Sequence, residues 1–341
     1  MSEMRDLMLR SLDRIVEDTL DVAARVAADG GADWPQKLWS ALDEQGMTAI
    51  GETADGDLGF GDVMALVQRS AYHAVPVPLG ETVIARRLLG RAGLAIPDGP
   101  LSVAAPSACS GVSLANGRLA GRAGAVAWGG KAGGILLGTG NELVLADASG
   151  AVVGRSFSMA GEPRDDIDLT KAKVLASAPL AGAAGVVEAE GALLRAVQMS
   201  GALARVLDHC LTWANDRVQF GKPIAKFQAI QHMLAQLAAE SAAAGAAADL
   251  AIEASTLVPD RFAIGVAKAR TGEAAGKGAA IAHQAFGAMG FTREHPLHYA
   301  TRRLWSWRDE FGSETYWQAE IGRSVAARGA DRLWATLTGT A

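Results

Sequence analysis

Three segments in the C-terminal half carry residue types able to handle an anionic, ring-bearing ligand. The first is Arg217-Val-Gln219-Phe220-Gly221-Lys-Pro223-Ile-Ala-Lys226-Phe-Gln228. An arginine at a helix end beside a glycine turn can grip a diphosphate with its planar fork. Phe220 offers an apolar face to an adenine ring, and Gln228 a hydrogen bond. The same residues also make an ordinary capped helical hairpin with a surface arginine. The second segment, Gln284-Ala-Phe-Gly287-Ala288-Met-Gly290, follows a long apolar stripe. Its glycines either let the backbone approach a ligand closely or end the helix. The third, Arg302-Arg303-Leu-Trp305-Ser-Trp307-Arg308-Asp-Glu310-Phe311-Gly312-Ser313-Glu314, sets carboxylates among aromatics and arginines. A carboxylate in such company either acquires a raised pKa and serves as a base, or takes part in ordinary salt bridges within a core or interface.

The elements that position these segments are helical. Ile264, Ala267, Thr271, Ala274, Gly278, Ile281 and Ala285 recur at alternating spacings of three and four, as do Phe227, Ile230, Leu234, Leu237, Ser241, Ala244 and Ala248. Val197, Ser200, Ala204, Leu207, Leu211, Ala214 and Val218 form a third stripe. Stripes this rich in small residues predict closely packed antiparallel helices, a C-terminal four-helix bundle over 181–341. Ser241 and Gly278 fit such a face where another helix comes close. Residues 1–97 predict an N-terminal helical domain, with Pro35 in an early helical turn, Gly46 as a stop, a glycine-rich loop from Gly51 to Gly61, and a helix over Val63–Ala74. Pro76 and Pro78 break the chain before Glu81 opens a further helix. Between the helical regions, residues 98–180 predict a small antiparallel β domain. Its strands include Gly134–Gly138 and Glu142–Ala146, and Asn116-Gly117 and Ser149-Gly150 are hairpin-type turns.

The totals narrow the function. The chain has 341 residues and a net charge of −5, with half of its residues hydrophobic. Without clustered Lys and Arg, nucleic acid is not an expected partner. No apolar run predicts a membrane span, and a cytoplasmic protein is expected. Cys109 and Cys210 are too few for a disulfide framework. No metal site is expected, since His295 and His298 are separated by Pro296 and lack a ligand set. There is no Gly-x-Ser-x-Gly elbow, P-loop or His-Glu-x-x-His.

In order and spacing, the three segments resemble the C-terminal half of the acyl-CoA dehydrogenase family. That family has an Arg-x-x-Phe-Gly turn followed by a Gln, then Gln-x-x-Gly-Gly-x-Gly, then Arg-Asp and a Glu-Gly-Thr loop. The resemblance runs through residues 195–325 and more loosely through 1–97, where Pro76-Val-Pro-Leu-Gly-Glu-Thr fits the helical domain. It implies a mostly α fold with a small central β domain. It also implies FAD as cofactor, an acyl-CoA thioester as substrate, and an electron-accepting flavoprotein as partner. Arg217, Gln219, Phe220 and Gln228 would contact the diphosphate and adenine end of FAD, with Gln284, Gly287 and Ala288 lining the same dinucleotide. In this family those groups reach into a neighbouring subunit's flavin, which implies a homo- or hetero-oligomer.

The chain departs from the family pattern at the chemistry itself. Phe311 stands where the family has the catalytic Glu of Glu-Gly-Thr, and the family's alternative base position, on the helix before the Arg turn, falls near Gly191. Glu310, one residue away, is the best remaining candidate base; Glu188 and Glu190 lie close to Gly191 without aligning. Ala104-Ala-Pro106-Ser-Ala-Cys109-Ser110-Gly111 stands where the family has a Thr-Glu-Pro-x-x-Gly-Ser-Asp segment, and Trp128 is read as a packing residue. These losses resemble the degenerate partner subunit of two-subunit acyl-CoA dehydrogenases of bacterial steroid side-chain degradation. The expectation is α,β-dehydrogenation within a heteromeric complex. The alternatives are a non-catalytic structural subunit, or a flavin-dependent oxygenase on the same fold.

Overall fold

The structure, a computed structural model, describes residues 3–29, 34–50 and 58–338. Five helices come first: α1 (Glu3–Thr19), α2 (Val22–Ala28), α3 (Gln36–Glu44), α4 (Phe60–Tyr72) and α5 (Leu79–Arg91). Asp21 caps α2 by accepting the Ala24 amide at 2.8 Å. α4 begins before Val63, because the Asp62 carboxylate accepts the Gly59 amide at 3.0 Å and fixes the first turn at Phe60. Most of the expected Gly51–Gly61 loop lies outside the described residues.

Eight strands follow: β1 (Leu101–Val103), β2 (Cys109–Ala115), β3 (Arg118–Ala127), β4 (Gly134–Gly138), β5 (Glu142–Asp147), β6 (Val152–Phe157), β7 (Pro163–Asp168) and β8 (Lys173–Pro179). They form two sheets, ordered β1-β4-β5-β8 and β2-β3-β7-β6. Asn116-Gly117 turns β2 into β3 with both residues at positive φ, the turn that matches strand twist. Ser149-Gly150 is a turn too, but it carries the chain from one sheet to the other rather than closing a hairpin. The pairing is antiparallel except between β1 and β4, which run parallel.

The C-terminal helices are α6 (Ala183–Asp216), α7 (Gln228–Ala254), α8 (Arg261–Phe286), α9 (Leu297–Asp309), α10 (Glu314–Arg328) and α11 (Leu333–Thr338), with a two-stranded ribbon, β9 (Val218–Gln219) and β10 (Lys222–Pro223), between α6 and α7. α6 is the axis of the molecule. Its first part, Val187 to Val197, is buried on all sides in a core shared with α1, α3, α4, α5, strands of the first sheet, residues of α7 and α8, and Phe311 and Trp317. From Met199 to Cys210 it packs into a second core with α7, α8 and α9. The α8 stripe is buried as its spacing predicts. At Gly278 an added Cβ would lie 2.7 Å from Leu203 Cδ2, so the glycine allows α6 and α8 to approach closely. Among the described residues no helix is long and apolar enough to cross a membrane.

Candidate functional site

The cofactor-facing residues expected from the sequence gather at one end of the bundle. α6 ends at Asp216, and Arg217 caps it, its amide donating to the Trp213 carbonyl at 2.9 Å. The ribbon then reverses at Phe220 and Gly221, with φ of +52° and +78°. Phe220 is 92% exposed, its ring edge-on to Phe227 at 6.1 Å. Gln219 lies in the ribbon and Gln228 opens α7, both exposed.

Gln284 lies on the last turns of α8, Gly287 ends that helix at φ +60°, and Ala288 follows in a short 3-10 turn; all three are exposed. The two groups are joined by an aromatic stack. Trp213 of α6 lies on Phe286 of α8 at 4.9 Å and 14°, with His295 against both rings. The Arg217 guanidinium lies 5.8 Å from the Trp213 ring. The arrangement leaves an arginine fork, an apolar ring and three amide side chains exposed at one end of the molecule.

Glu310 is elsewhere. It follows α9 and is held against Arg195, which a rise of about 1.5 Å per residue puts roughly 33 Å along α6 from Arg217. Arg195 Nε donates to Glu310 Oε2 at 2.8 Å and Arg164 Nη2 to Oε1 at 2.6 Å. The network continues from Arg195 to Glu81 of α5 at 2.8 Å, and from Arg164 to Glu162 at 3.1 Å. Glu162 in turn meets Arg303 of α9 at 2.9 Å. Burial works against the Glu310 charge, but the Arg164 and Arg195 charges outweigh it and hold the carboxyl below the usual carboxylate range. The aromatic surroundings therefore do not raise its pKa. To accept a proton, Glu310 would have to give up two charge-assisted pairs, which makes this setting an ion-pair clamp.

Phe311 and Gly191, the two positions expected from the resemblance to match the family's base, meet in space: a Cβ added at Gly191 would overlap the Phe311 ring. Neither carries a carboxylate, and Phe311, buried and at φ +54°, fills the gap. Its carbonyl accepts from Trp317 Nε1 at 2.9 Å. Lys268 Nζ donates to the Arg308 and Gly312 carbonyls at 2.5 and 2.8 Å, fixing both ends of this loop, and burial brings its pKa down to about 8. Gly191→Ala is expected to overpack this contact and destabilise the fold by about 1–3 kcal/mol. Denaturant unfolding checks it: adding Phe311→Ala should recover part of that loss, so the two changes are non-additive.

The space around this centre is small. Two cavities lined by Trp128 and Glu162 each measure ≈ 10 Å³. Trp128 packs edge-on to Trp34 at 5.8 Å. Ser107, from the segment with the altered motif, faces Glu188 on α6. Burial raises the Glu188 pKa, opposed by hydrogen bonding from Ser107. Arg195, Arg164, Glu81 and Glu162 did not stand out in the sequence reading. The available signal was Arg195 itself, a lone charge in the apolar run Gly191-Ala-Leu-Leu-Arg195-Ala-Val.

The family described as "Acyl-CoA dehydrogenase, C-terminal domain" matches residues 189–325. The acyl-CoA dehydrogenase IpdE2 of Mycobacterium tuberculosis is 31% identical over 297 residues, covering 83% of this chain and 84% of that protein. The chain belongs to the acyl-CoA dehydrogenase family. Solved structures share its fold. One is the Tcur3481-Tcur3483 steroid ACAD G363A variant, with a TM-score of 0.83 at 22% identity, covering 95% of this chain and 98% of that one. Another is the ChsE4-ChsE5 complex from Mycobacterium tuberculosis, with a TM-score of 0.80 at 19% identity, covering 96% and 98%. For an acyl-CoA dehydrogenase family member, this chain combines exposed Arg217, Phe220 and Gln284 at one end of the bundle with small cavities beside Trp128.

Proposed function

We propose that this chain is the partner subunit of a heteromeric acyl-CoA dehydrogenase that performs α,β-dehydrogenation of an acyl-CoA thioester, and that it completes an FAD site whose ring pocket and base lie on another subunit. The observation that carries this reading is the contrast between the two ends of α6. Arg217, Phe220 and Gln284 point outward, while both family base positions are occupied by Phe311 against Gly191.

The residues fit the adenosine diphosphate end of FAD. Arg217 would hold the diphosphate by its fork, Phe220 would cover the adenine, and the amides of Gln219, Gln228 and Gln284 would supply hydrogen bonds, with the Gly287–Ala288 backbone close to the dinucleotide. They do not fit a flavin ring in this chain's own interior, where the spaces beside Trp128 are ≈ 10 Å³. Bound FAD supplies the hydride acceptor, and an electron-accepting flavoprotein would reoxidise it. This chain's own part is to bind and orient the cofactor and to close its site against water. Its relation to the acyl-CoA dehydrogenase IpdE2 supports the reaction class, and the two-component complexes among proteins of its fold support the heteromeric form.

The test is flavin stoichiometry. The isolated chain is expected to purify without FAD. Co-expressed with a full-length acyl-CoA dehydrogenase from the same genome, it is expected to yield one FAD per pair, bleached on adding an acyl-CoA. One FAD per chain in a homodimer would sink the proposal. A flavin-free complex would instead support a purely structural subunit.

A further inference from the structure

A cleft of ≈ 230 Å³ opens between α2, the end of α4, α6 and the segment leading into α9; its His209 packs on His295 at 5.1 Å, so it adjoins the Trp213–Phe286 stack without sharing residues with it. Arg25, Arg205 and Arg293 line it together with His209, Tyr72 and Tyr299. Glu294 is the one carboxylate among its lining residues.

Its cations are not neutralised in the usual way. Arg25 Nη1 donates to the His73 carbonyl at 2.9 Å, and Arg205 Nη1 to the Tyr72 hydroxyl at 3.2 Å. Neither arginine has a carboxylate partner among the described residues. The nearby acids are engaged elsewhere. Asp13 pairs with Arg69 at 2.6 Å and His73 at 2.7 Å, and Asp29 with Arg302 at 2.9 Å. Asp208 accepts from the Tyr72 hydroxyl at 2.6 Å. Burial, with Arg303 and Arg205 acting in the same direction, brings the Arg25 pKa down to about 10. The His209 imidazole stays neutral, brought to about 3 by burial and then by Arg205.

Like charges converging in a partly dry cleft repel one another, and an anion placed between them removes that cost. Arginine forks select carboxylate or phosphate oxygens. Val22, Val26, Pro296 and Ala300 supply an apolar wall beside them. We propose that this cleft binds a small amphipathic anion, a carboxylate or phosphate carried on an apolar body. The inference is independent of the flavin reading, since none of the cofactor-facing residues lines the cleft.

Calorimetric titration of the full chain with octanoate, octyl phosphate, inorganic phosphate and neutral octanol tests it. Saturable binding is expected for octanoate, octyl phosphate or both, which tells the two headgroups apart. That binding should weaken at least ~10-fold in Arg25→Gln and in Arg205→Gln, as loss of a charge-assisted contact implies. Val26→Trp, at a position exposed to solvent, should block the cleft while leaving the melting temperature unchanged. Absence of saturable binding, equal binding of octanol, equal affinity for inorganic phosphate, or undiminished binding by folded variants would overturn the proposal.

Discussion

Replacing Arg217 with alanine is expected to strip FAD from the complex while leaving this chain's own fold unchanged. Arg217 is exposed, and its hydrogen bonds to the chain are backbone ones, its amide capping α6 and its carbonyl accepting from the Ile224 amide at 2.9 Å, which any residue but proline can make. The guanidinium gives up little when removed from the free chain: its contact with the Trp213 ring is at the solvent edge. Against a diphosphate, the same fork makes charge-assisted hydrogen bonds, each contributing about 1.5–3 kcal/mol. The FAD dissociation constant of the co-purified complex should therefore rise roughly 10- to 150-fold. Flavin release followed by fluorescence reads this directly. The melting temperature of the isolated variant should match the parent, because surface substitutions usually shift stability by no more than about 0.5 kcal/mol. Arg217→Lys should recover only part of the affinity, since an ammonium restores charge without the planar fork. Unchanged flavin affinity in the alanine variant would remove the ribbon from the cofactor site.

The largest effect on stability is expected inside the molecule, from Arg195→Leu. Arg195 is fully buried and serves two acids at once, Glu81 and Glu310. Leucine supplies comparable packing but leaves Glu81 buried without a cation, and Glu310 with Arg164 alone. Breaking a buried ion pair by removing one member costs about 3–5 kcal/mol. Urea unfolding at neutral pH should show that loss, and replacing Glu81 with Leu as well should return part of it. The pH dependence supplies an independent check. Glu310 has its folded pKa held below the unfolded value, so its contribution is present above the unfolded carboxylate pKa, ordinarily about 4.3. That contribution is lost as pH falls through the folded value. The gap between variant and parent should therefore be widest near neutrality and narrow below about pH 4, where protonated acids no longer need a cation. A gap that stays constant down to acid pH would place the cost in packing instead.

The bundle was easiest to read where one face of a helix is buried. On α8, Ile264, Ala267, Thr271, Ala274, Gly278 and Ala285 are all buried, because that helix has a wet side and a dry side and periodicity separates them. The first half of α6 has no wet side and so no stripe to read; in its second half the buried face is Leu203, Val206, Cys210 and Ala214, and the stripe expected from Val197 drifts off it, leaving Leu211 and Val218 exposed. Pairing partners were harder still. Gly150 is a turn glycine as its sequence suggests, but which strand the chain meets afterwards is decided by distant residues. The parallel β1–β4 pair is non-local in the same way.

At the site, counting along the chain located Phe311 and Gly191, but not their mutual contact, which depends on how α6 and the α9–α10 loop pack. Glu310 was read from its neighbours in sequence, a row of aromatics. Its behaviour is set by Arg164 and Arg195, which come from a strand and a helix far away along the chain.

The length of α6 has a mechanical consequence. At about 1.5 Å per residue, its 34 residues make a single rod of roughly 50 Å. One half is gripped by the N-terminal helices and the first sheet together with the far ends of α7 and α8, the other by α7, α8 and α9. Such a keel cannot be shared out between separable fragments. A polypeptide beginning at the foot of α6 would keep the bundle's connectivity and the Phe311 and Glu310 contacts of this stretch, but would bare the side of Val187–Val197 that the N-terminal helices and the first sheet cover, so it should aggregate rather than fold alone. The same rod ties the ribbon's placement to the N-terminal half, and substitutions that loosen that grip should misplace Arg217 without touching it.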